Sequence, residues 1–137
     1  MIKFTITGTT PKALKRHRPS ARGGYYDPSS KDKKDILLQI VKYKPNHPYT
    51  GNIRLSIRFT MPRPKSHYRT GKYRHLLKDG CKDIVYHSIK PDLDNLVKLI
   101  SDVLQPSFYV DDSQICELYA EKMYGERPNT AIIIEEI

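Results

Sequence analysis

Residues 93–104 carry the strongest constraint on the fold, because their apolar side chains repeat with the period of an α-helix. The repeat forms one stripe, made of Leu93, Leu96, Val97, Ile100, Val103 and Leu104. A stripe with this spacing predicts a helix that packs one face on a core. The polar face is predicted to hold Asp94, Lys98, Ser101 or Asp102, and Gln105.

The flanking segments predict four strands and a second helix. Apolar and polar residues alternate over about 2–8 and 52–61, which is typical of half-buried strands, and residues 115–123 and 130–137 are interpreted as two further strands. Ser29 or Ser30 is placed to cap a helix that runs to about Tyr43, and residues 125–129 predict a hairpin turn between the last two strands. The order β-α-β-α-β-β predicts an α+β fold, a mixed sheet with two main helices packed on it.

The charge of the chain is unevenly distributed. The formal net charge is +9, yet residues 1–90 hold 21 basic and 5 acidic side chains, whereas residues 91–137 hold 3 and 10. A basic body attracts polyanions and steers them over long distances. Composition therefore favours a nucleic-acid partner, with a lysine-rich soluble surface as the alternative.

Two basic segments, residues 9–30 and 62–89, are predicted as mobile loops that contact nucleic acid. Each joins basic side chains to tyrosines, a combination suited to phosphate contacts beside stacked bases. For residues 9–30 an ordinary solvated loop is the alternative, and for residues 62–89 the length of the loop is typical of a functional or a disordered segment. The side chains predicted to bind nucleic acid are Lys12, Lys15, Arg16, Arg18, Lys90 and Lys98. His67, His75 and His87 lack the spacing of metal ligands and are interpreted as polar loop residues.

Length and composition exclude several classes of protein. The 137 residues predict one domain, residues 1–137, and 38% hydrophobic content predicts a thin core or burial against a partner subunit. Cys81 and Cys116 stand far apart without a zinc-binding pattern. No segment has the length of a membrane span or the pattern of a signal peptide, so a cytoplasmic protein is expected.

Two acidic pairs bracket the helix over residues 93–104. Asp92 and Asp94 stand at its start, and Asp111 and Asp112 follow beyond its end. Helix capping would explain Asp92 alone but not a second carboxylate, and an isolated Asp-Asp pair is usually a solvated turn. Converging carboxylates repel one another unless a hard cation neutralises them. Because the candidate ligands are all oxygen donors, magnesium is favoured over zinc.

Lys98 follows Asp94 by four residues, so the two side chains are neighbours on one helix face. Two interpretations of this lysine stay open. It forms a surface ion pair with Asp94, or it contacts a scissile phosphate and stabilises the charge that develops there.

Two short motifs stand around this helix: DLDNL at residues 92–96 with Lys98, and DDSQ at residues 111–114. Together they closely resemble the signature of RusA-type Holliday-junction resolvases, strongly over residues 90–123 and more loosely over the rest of the chain. The resemblance implies a magnesium-dependent homodimeric endonuclease, with manganese able to substitute, in which each protomer cuts one strand at the crossover. Branched DNA, a four-way junction, is the implied partner.

The resemblance also implies roles for single residues. The magnesium-binding catalytic acids fall on Asp92, Asp94 and Asp112. Lys98 is implied in catalysis or junction binding. Some relatives have a basic residue directly before the first aspartate, whereas this chain has Pro91, with Lys90 one place earlier. Main-chain contacts near the site are therefore expected to differ.

The sequence also bears on functions other than junction resolution. Pro91-Asp92 could open the PD-(D/E)xK pattern of restriction-like nucleases, but Glu121 and Lys122 are adjacent and lack the intervening residue. A non-catalytic nucleic-acid-binding module would keep the basic body and use the aspartates for capping. A nuclease for flaps, RNA hybrids or other branched DNA is excluded by no residue of the chain.

Overall fold

The computed structural model describes residues 1–137. Its helices and strands, in chain order, are β1 (Ile2–Thr7), β2 (Arg18–Pro19), β3 (Tyr25–Tyr26), α1 (Ser30–Ile40), β4 (Ile53–Pro62), α2 (Leu93–Leu104), β5 (Ile115–Gly125) and β6 (Asn129–Glu136). β2 and β3 form a small hairpin inside the 9–30 segment that the sequence did not predict. No helix combines the length and the apolar character that crossing a membrane requires.

The other four strands form one mixed sheet in the order β1-β6-β4-β5. β6 is antiparallel to both β1 and β4, whereas β5 is parallel to β4. This sheet and its two helices confirm the predicted α+β class. The predicted hairpin between β5 and β6 is wrong, because β4 lies between them. β4 takes the central position since it buries every second side chain and pairs along nearly its whole length with both neighbours.

β4 shows the alternation predicted for it. The side chains buried in the core are Ile53, Leu55, Ile57, Phe59 and Met61. Arg54 and Arg58 lie on the opposite face, where they pair with acidic side chains of neighbouring strands. Arg54 pairs with Glu117 and Glu135, and Arg58 pairs with Glu121. These arginines are therefore engaged in ion pairs across the sheet.

α2 has the predicted bounds and packs on the core through a slightly different face. Its buried residues are Leu96, Leu99, Ile100, Ser101, Val103 and Leu104, while Leu93 and Val97 are only partly buried. Because Ser101 is buried, Asp102 rather than Ser101 lies on the polar side of the helix. The side chains that follow one another along this polar side are Asp94, Lys98 and Asp102.

α1 packs against α2 and β1, and it is shorter than predicted. The helix ends at Ile40 and continues as one 3-10 turn, Val41–Tyr43. Ile36 and Ile40 are buried in the core, whereas Val41 is exposed. Ser29 occupies the N-cap position without a capping bond from its side chain. Its hydroxyl instead accepts a hydrogen bond from the main-chain N–H of Lys15.

Candidate active site

Asp92 and Asp94 open α2 with their side chains directed to solvent. Asp92 is the N-cap residue, and its main-chain oxygen accepts the hydrogen bond from Leu96 N–H. Its carboxylate makes no capping hydrogen bond. Asp94 lies in the first turn, and its Oδ1 accepts a bond from Asn95 N–H at 3.0 Å. Helix capping by the Asp92 side chain, the alternative role for this residue, is therefore not observed.

The segment before α2 is tied to β5 by a lysine side chain. Nζ of Lys122 donates hydrogen bonds of 2.6 Å to the main-chain oxygens of both Ile89 and Pro91. His87 N–H donates to the main-chain oxygen of Lys122 at 3.1 Å. The chain that enters Asp92 is thus bound to the sheet directly before the first acidic residue.

Asp111 and Asp112 lie on a 3-10 turn, Asp112–Gln114, that precedes β5. Asp111 caps this turn: its carboxylate accepts a bond from Ser113 N–H at 3.1 Å, and Gln114 Oε1 accepts one from Asp111 N–H at 2.8 Å. The bond from Ser113 lowers the pKa of Asp111 below its ordinary value. The Asp111 carboxylate therefore stabilises the turn, whereas the Asp112 carboxylate takes no part in capping it.

The turn that carries Asp112 is anchored on two sides. Nε2 of Gln114 donates to the main-chain oxygens of Tyr49 and Gly51, at 2.9 and 2.8 Å. Asp112 N–H donates to Oε1 of Gln105, the residue that follows α2, at 2.8 Å. These contacts hold Asp112 beside the polar side of α2.

Lys98 and Asp112 meet across the gap between α2 and this turn. Nζ of Lys98 lies 3.6 Å from Oδ2 of Asp112 and 3.7 Å from Oδ1 of Asp102. Asp94, the ion-pair partner that spacing alone suggests, is not within salt-bridge distance of Lys98. The two predicted site residues that the structure brings into contact are therefore Lys98 and Asp112.

Asp102 continues this network into α1. Its Oδ2 lies 3.5 Å from Nζ of Lys33, which in turn lies 2.7 Å from Oδ2 of Asp27. The hydrogen bond from Lys33 is the main reason that the pKa of Asp27 falls below its ordinary value. We refer to the sequence of contacts Asp27–Lys33–Asp102–Lys98–Asp112 as the ion-pair chain.

The three predicted magnesium ligands fit a hard cation by their chemistry, since each offers carboxylate oxygens and none is buried. The Asp92 carboxylate makes no capping bond, and the Asp112 carboxylate has Lys98 Nζ as its neighbour at 3.6 Å. No three His, Cys, Asp or Glu side chains of the chain are gathered closely enough to enclose an ion. The joint ligand set Asp92, Asp94 and Asp112 stays a prediction.

The basic 9–30 segment lies against the beginning of α2. Leu14 N–H donates to the main-chain oxygen of Asn95 at 3.0 Å, and both Ala13 and Leu14 pack on the core. The exposed basic side chains of this region include Lys12, Lys15, Arg16, Arg18 and Arg22 of the 9–30 segment, and Lys90 directly before α2. Because Leu14 bonds to Asn95, the basic 9–30 segment lies near the start of α2, where its positive charges can attract phosphates.

The 62–89 segment has more structure than a plain loop. It contains three 3-10 turns, Lys65–His67, Gly71–Tyr73 and Asp79–Cys81, and Tyr86 forms a bridge with Met123 of β5. His87 lies outside the helices and strands, as predicted, but it is buried, with its ring 5.0 Å from the Tyr124 ring. Burial, together with the positive charge of Lys122, lowers the pKa of His87 below its ordinary value.

The model of the family described as "Endodeoxyribonuclease RusA" matches residues 9–135 of the chain. The chain belongs to the RusA endodeoxyribonuclease family. It is 33% identical over 141 residues to the "Uncharacterized protein YqaN" of Bacillus subtilis (strain 168), covering 99% of this chain and 96% of that protein. It is 27% identical over 114 residues to the "Crossover junction endodeoxyribonuclease rusA" of Lactococcus phage r1t, covering 82% of this chain and 78% of that protein. The predicted RusA resemblance is confirmed.

The sequence did not indicate three residues that contact or support the candidate site: Asp27, Lys33 and Lys122. Asp102 was considered only as one of two candidates for the polar side of α2. A signal for Asp102 exists, since it follows Lys98 by four residues and must neighbour it on the helix. Lys33 and Lys122 come from separate elements and have no comparable local signal.

Proposed function

We propose that this chain is a magnesium-dependent, structure-selective endodeoxyribonuclease that resolves Holliday junctions in DNA recombination and repair. It acts in the cytoplasm as a homodimer in which each protomer cuts one strand. The observation that carries the proposal is the contact of Lys98 with Asp112 at 3.6 Å. This contact joins the two motifs of the RusA family signature, on a helix whose first turn presents Asp92 and Asp94.

The ligands for magnesium are Asp92, Asp94 and Asp112, and manganese can replace it. When bound, such an ion lowers the pKa of a coordinated water and neutralises charge on the phosphate. Lys98 supplies the positive charge of the protein itself. Its Nζ lies beside Asp112 and its side chain is half exposed, so the ammonium group can contact a phosphate oxygen without leaving the site.

DNA is bound through its phosphates by the basic side chains near the start of α2. These side chains are Lys12, Lys15, Arg16, Arg18, Lys90 and Lys98. Each contact with a phosphate releases a counterion, so the basic residues supply affinity that depends on salt rather than on base sequence. A four-way junction has approximate two-fold symmetry, and a two-fold dimer would place two equivalent sites on equivalent strands.

The test compares a synthetic four-way junction with linear duplex of the same sequence, with and without magnesium. The wild-type protein should cut the junction in paired strands only with the metal, and leave duplex uncut. Asp92→Asn and Asp112→Asn should abolish cleavage and retain junction binding. The matched control is Asp35→Asn, an exposed aspartate on α1 that forms no ion pair; it should cut like the wild type.

Three results would overturn parts of this proposal. Binding without cleavage at every magnesium concentration would favour a non-catalytic module. Preferential cleavage of flaps or other branched DNA would replace the Holliday junction as substrate. An active Asp92→Asn protein in magnesium would discard the site assignment while leaving the nuclease activity in place.

A further inference from the structure

Asp102 is the one acidic residue of α2 that lies between two lysines. Its carboxylate presents Oδ1 to Lys98 at 3.7 Å and Oδ2 to Lys33 at 3.5 Å. The side chain of Asp102 is only 21% exposed, whereas that of Lys98 is 54% exposed. We propose that Asp102 is a positioning residue, which holds the Lys98 ammonium group at the place where it serves the reaction. This inference rests on the proposed function.

Helix stability gives no reason for a carboxylate at position 102. An acid that follows lysine by four residues is the less favourable orientation of such a pair. Asp102 also stands in the last turn of α2, where the negative end of the helix dipole disfavours an acidic side chain. The contacts that favour this residue are the ion pairs of its carboxylate with Lys33 of α1 and with Lys98.

The ion-pair chain gives Asp102 a fixed anchor. Lys33 is held by Asp27 at 2.7 Å, and Asp27 Oδ1 accepts a hydrogen bond from Ser29 N–H at 2.9 Å. Ser29 is fully buried at the start of α1. Because each carboxylate oxygen of Asp102 faces a different lysine, its orientation is restrained from both sides. The position of Lys98 is thereby coupled to the packing of α1 on α2.

Without Asp102, Lys98 would keep a single acidic neighbour, Asp112. A flexible ammonium group with one partner either turns to solvent or stays on that carboxylate, which is itself a predicted magnesium ligand. In both cases the Lys98 ammonium group would no longer face the DNA phosphate at which the proposed cleavage occurs. Asp102 balances Asp112, so that Nζ of Lys98 stays between two acids at nearly equal distances of 3.7 and 3.6 Å.

The kinetic test is a double-substitution cycle with Asp102→Asn and Lys98→Gln. Asp102→Asn should lower kcat for junction cleavage about 10- to 100-fold, the loss typical of removing an outer partner from a catalytic group. The KM, and the Kd for the junction without metal, should change much less than kcat, since Asp102 acts through Lys98 alone and the other basic side chains proposed to bind phosphates are unchanged. In the Lys98→Gln background the same change should have no further effect. Asp102→Glu should recover part of the activity.

A second measurement needs neither metal nor DNA. At 15.9 kDa the protein is small enough for NMR relaxation of the Lys98 side-chain methylenes. Their order should fall in Asp102→Asn and, to a smaller extent, in Lys33→Gln, while the control Asp35→Asn leaves it unchanged. Thermal unfolding of each variant in EDTA separates loss of positioning from loss of folding.

The outcomes are distinct. Full cleavage activity of Asp102→Asn, or an additive loss in the Lys98→Gln background, would overturn the positioning role. Unchanged order of Lys98 in Asp102→Asn would overturn it as well. A wild-type protein that leaves junctions uncut would defeat the proposed function, and the relaxation measurement would still decide whether Asp102 orders Lys98.

Discussion

The side-chain oxygen Oε1 of Gln105 accepts a hydrogen bond of 2.8 Å from the main-chain N–H of Asp112. Gln105 follows the last residue of α2, and Asp112 begins the turn before β5. The bond therefore joins the end of the helix to the segment that carries the second acidic motif. It restrains the main chain at the point from which the Asp112 carboxylate reaches Lys98.

Gln105→Ala removes this acceptor and leaves Asp112 N–H without its partner. We expect a loss of about 1 kcal/mol in the free energy of unfolding, the usual contribution of one partly buried hydrogen bond. Junction cleavage should fall several-fold because Asp112 is less well restrained. Urea unfolding and single-turnover cleavage measure the two effects. The control Gln39→Ala, at an exposed position on α1, should change neither; equal activity of Gln105→Ala and wild type would contradict the prediction.

Lys122→Met removes the two side-chain hydrogen bonds that join Ile89 and Pro91, directly before α2, to β5. Since the main-chain oxygens of Ile89 and Pro91 lose a charged donor, the amide hydrogens of residues 86–90 should exchange faster with solvent. Cleavage should fall, because this segment leads directly into Asp92. Hydrogen exchange followed by mass spectrometry gives the measurement. Lys42→Met, at an exposed position, is the control, and unchanged exchange over residues 86–90 would remove the anchoring role of Lys122.

The sequence predicted those elements whose cause is local. The bounds of α2 agree because its apolar stripe, its N-cap position and the proline after Gln105 all lie in neighbouring residues. The alternation of β4 agrees for the same reason. The pairing of β5 with β4 rather than with β6 could not be predicted, because strand order depends on contacts between residues far apart in the chain.

The residues of the site likewise fall into those that the local sequence indicates and those that only the fold brings together. Asp92, Asp94 and Lys98 lie within seven residues, so their common helix was readable from spacing. The contact of Lys98 with Asp112 agrees with the pairing of the two motifs. Lys33 reaches the site only because α1 packs on α2, and nothing in the sequence near Lys33 indicates its partner.

Leu99→Ala tests the core beneath the polar side of α2. Leu99 is fully buried, and its truncation leaves a cavity that neighbouring side chains fill only in part. The free energy of unfolding should fall by about 2–5 kcal/mol. Leu38→Ala on α1, where the leucine is 76% exposed, should change it by less than about 0.5 kcal/mol. Urea unfolding of both variants gives the comparison, and similar losses in the two would show that Leu99 is not in the core.

Asp27→Asn should destabilise the protein in a pH-dependent way. The pKa of Asp27 is lowered from 3.8, first by the hydrogen bond from Lys33 and then by that from Ser29 N–H. A carboxyl group with a lowered pKa in the folded state contributes stability that is complete above its unfolded pKa and is lost as pH falls through its folded pKa. The wild type should therefore exceed Asp27→Asn in stability at neutral pH.

The difference in free energy of unfolding between the wild type and Asp27→Asn should shrink as the pH falls below about 3.9, the ordinary pKa of aspartate. Denaturant unfolding from neutral pH to strongly acidic pH measures it. Asp35→Asn is the control, because this exposed aspartate forms no ion pair, and its difference from wild type should stay near zero throughout. A stability difference for Asp27→Asn that is constant with pH would show that the Asp27–Lys33 pair contributes nothing.

The basic 9–30 segment should determine how strongly junction binding depends on salt. For duplex DNA, the slope of log K against log salt concentration changes by about 0.9 for each phosphate contact. Joint replacement of Lys12, Lys15 and Arg16 by Ala should therefore reduce the magnitude of the slope by up to about 2.7 if each side chain meets one phosphate. Titrations over a range of salt concentrations, without metal, isolate binding from cleavage.

The control for this measurement is Lys3→Ala. Lys3 lies on β1 and lines a groove on the face of the sheet that also carries Arg58 and Glu121, away from the helices. Removing its charge should leave the slope unchanged, since DNA at the start of α2 does not reach it. If Lys3→Ala lowers the slope as much per charge as the triple substitution, attraction of DNA would come from the total charge of the protein rather than from contacts made by the 9–30 segment.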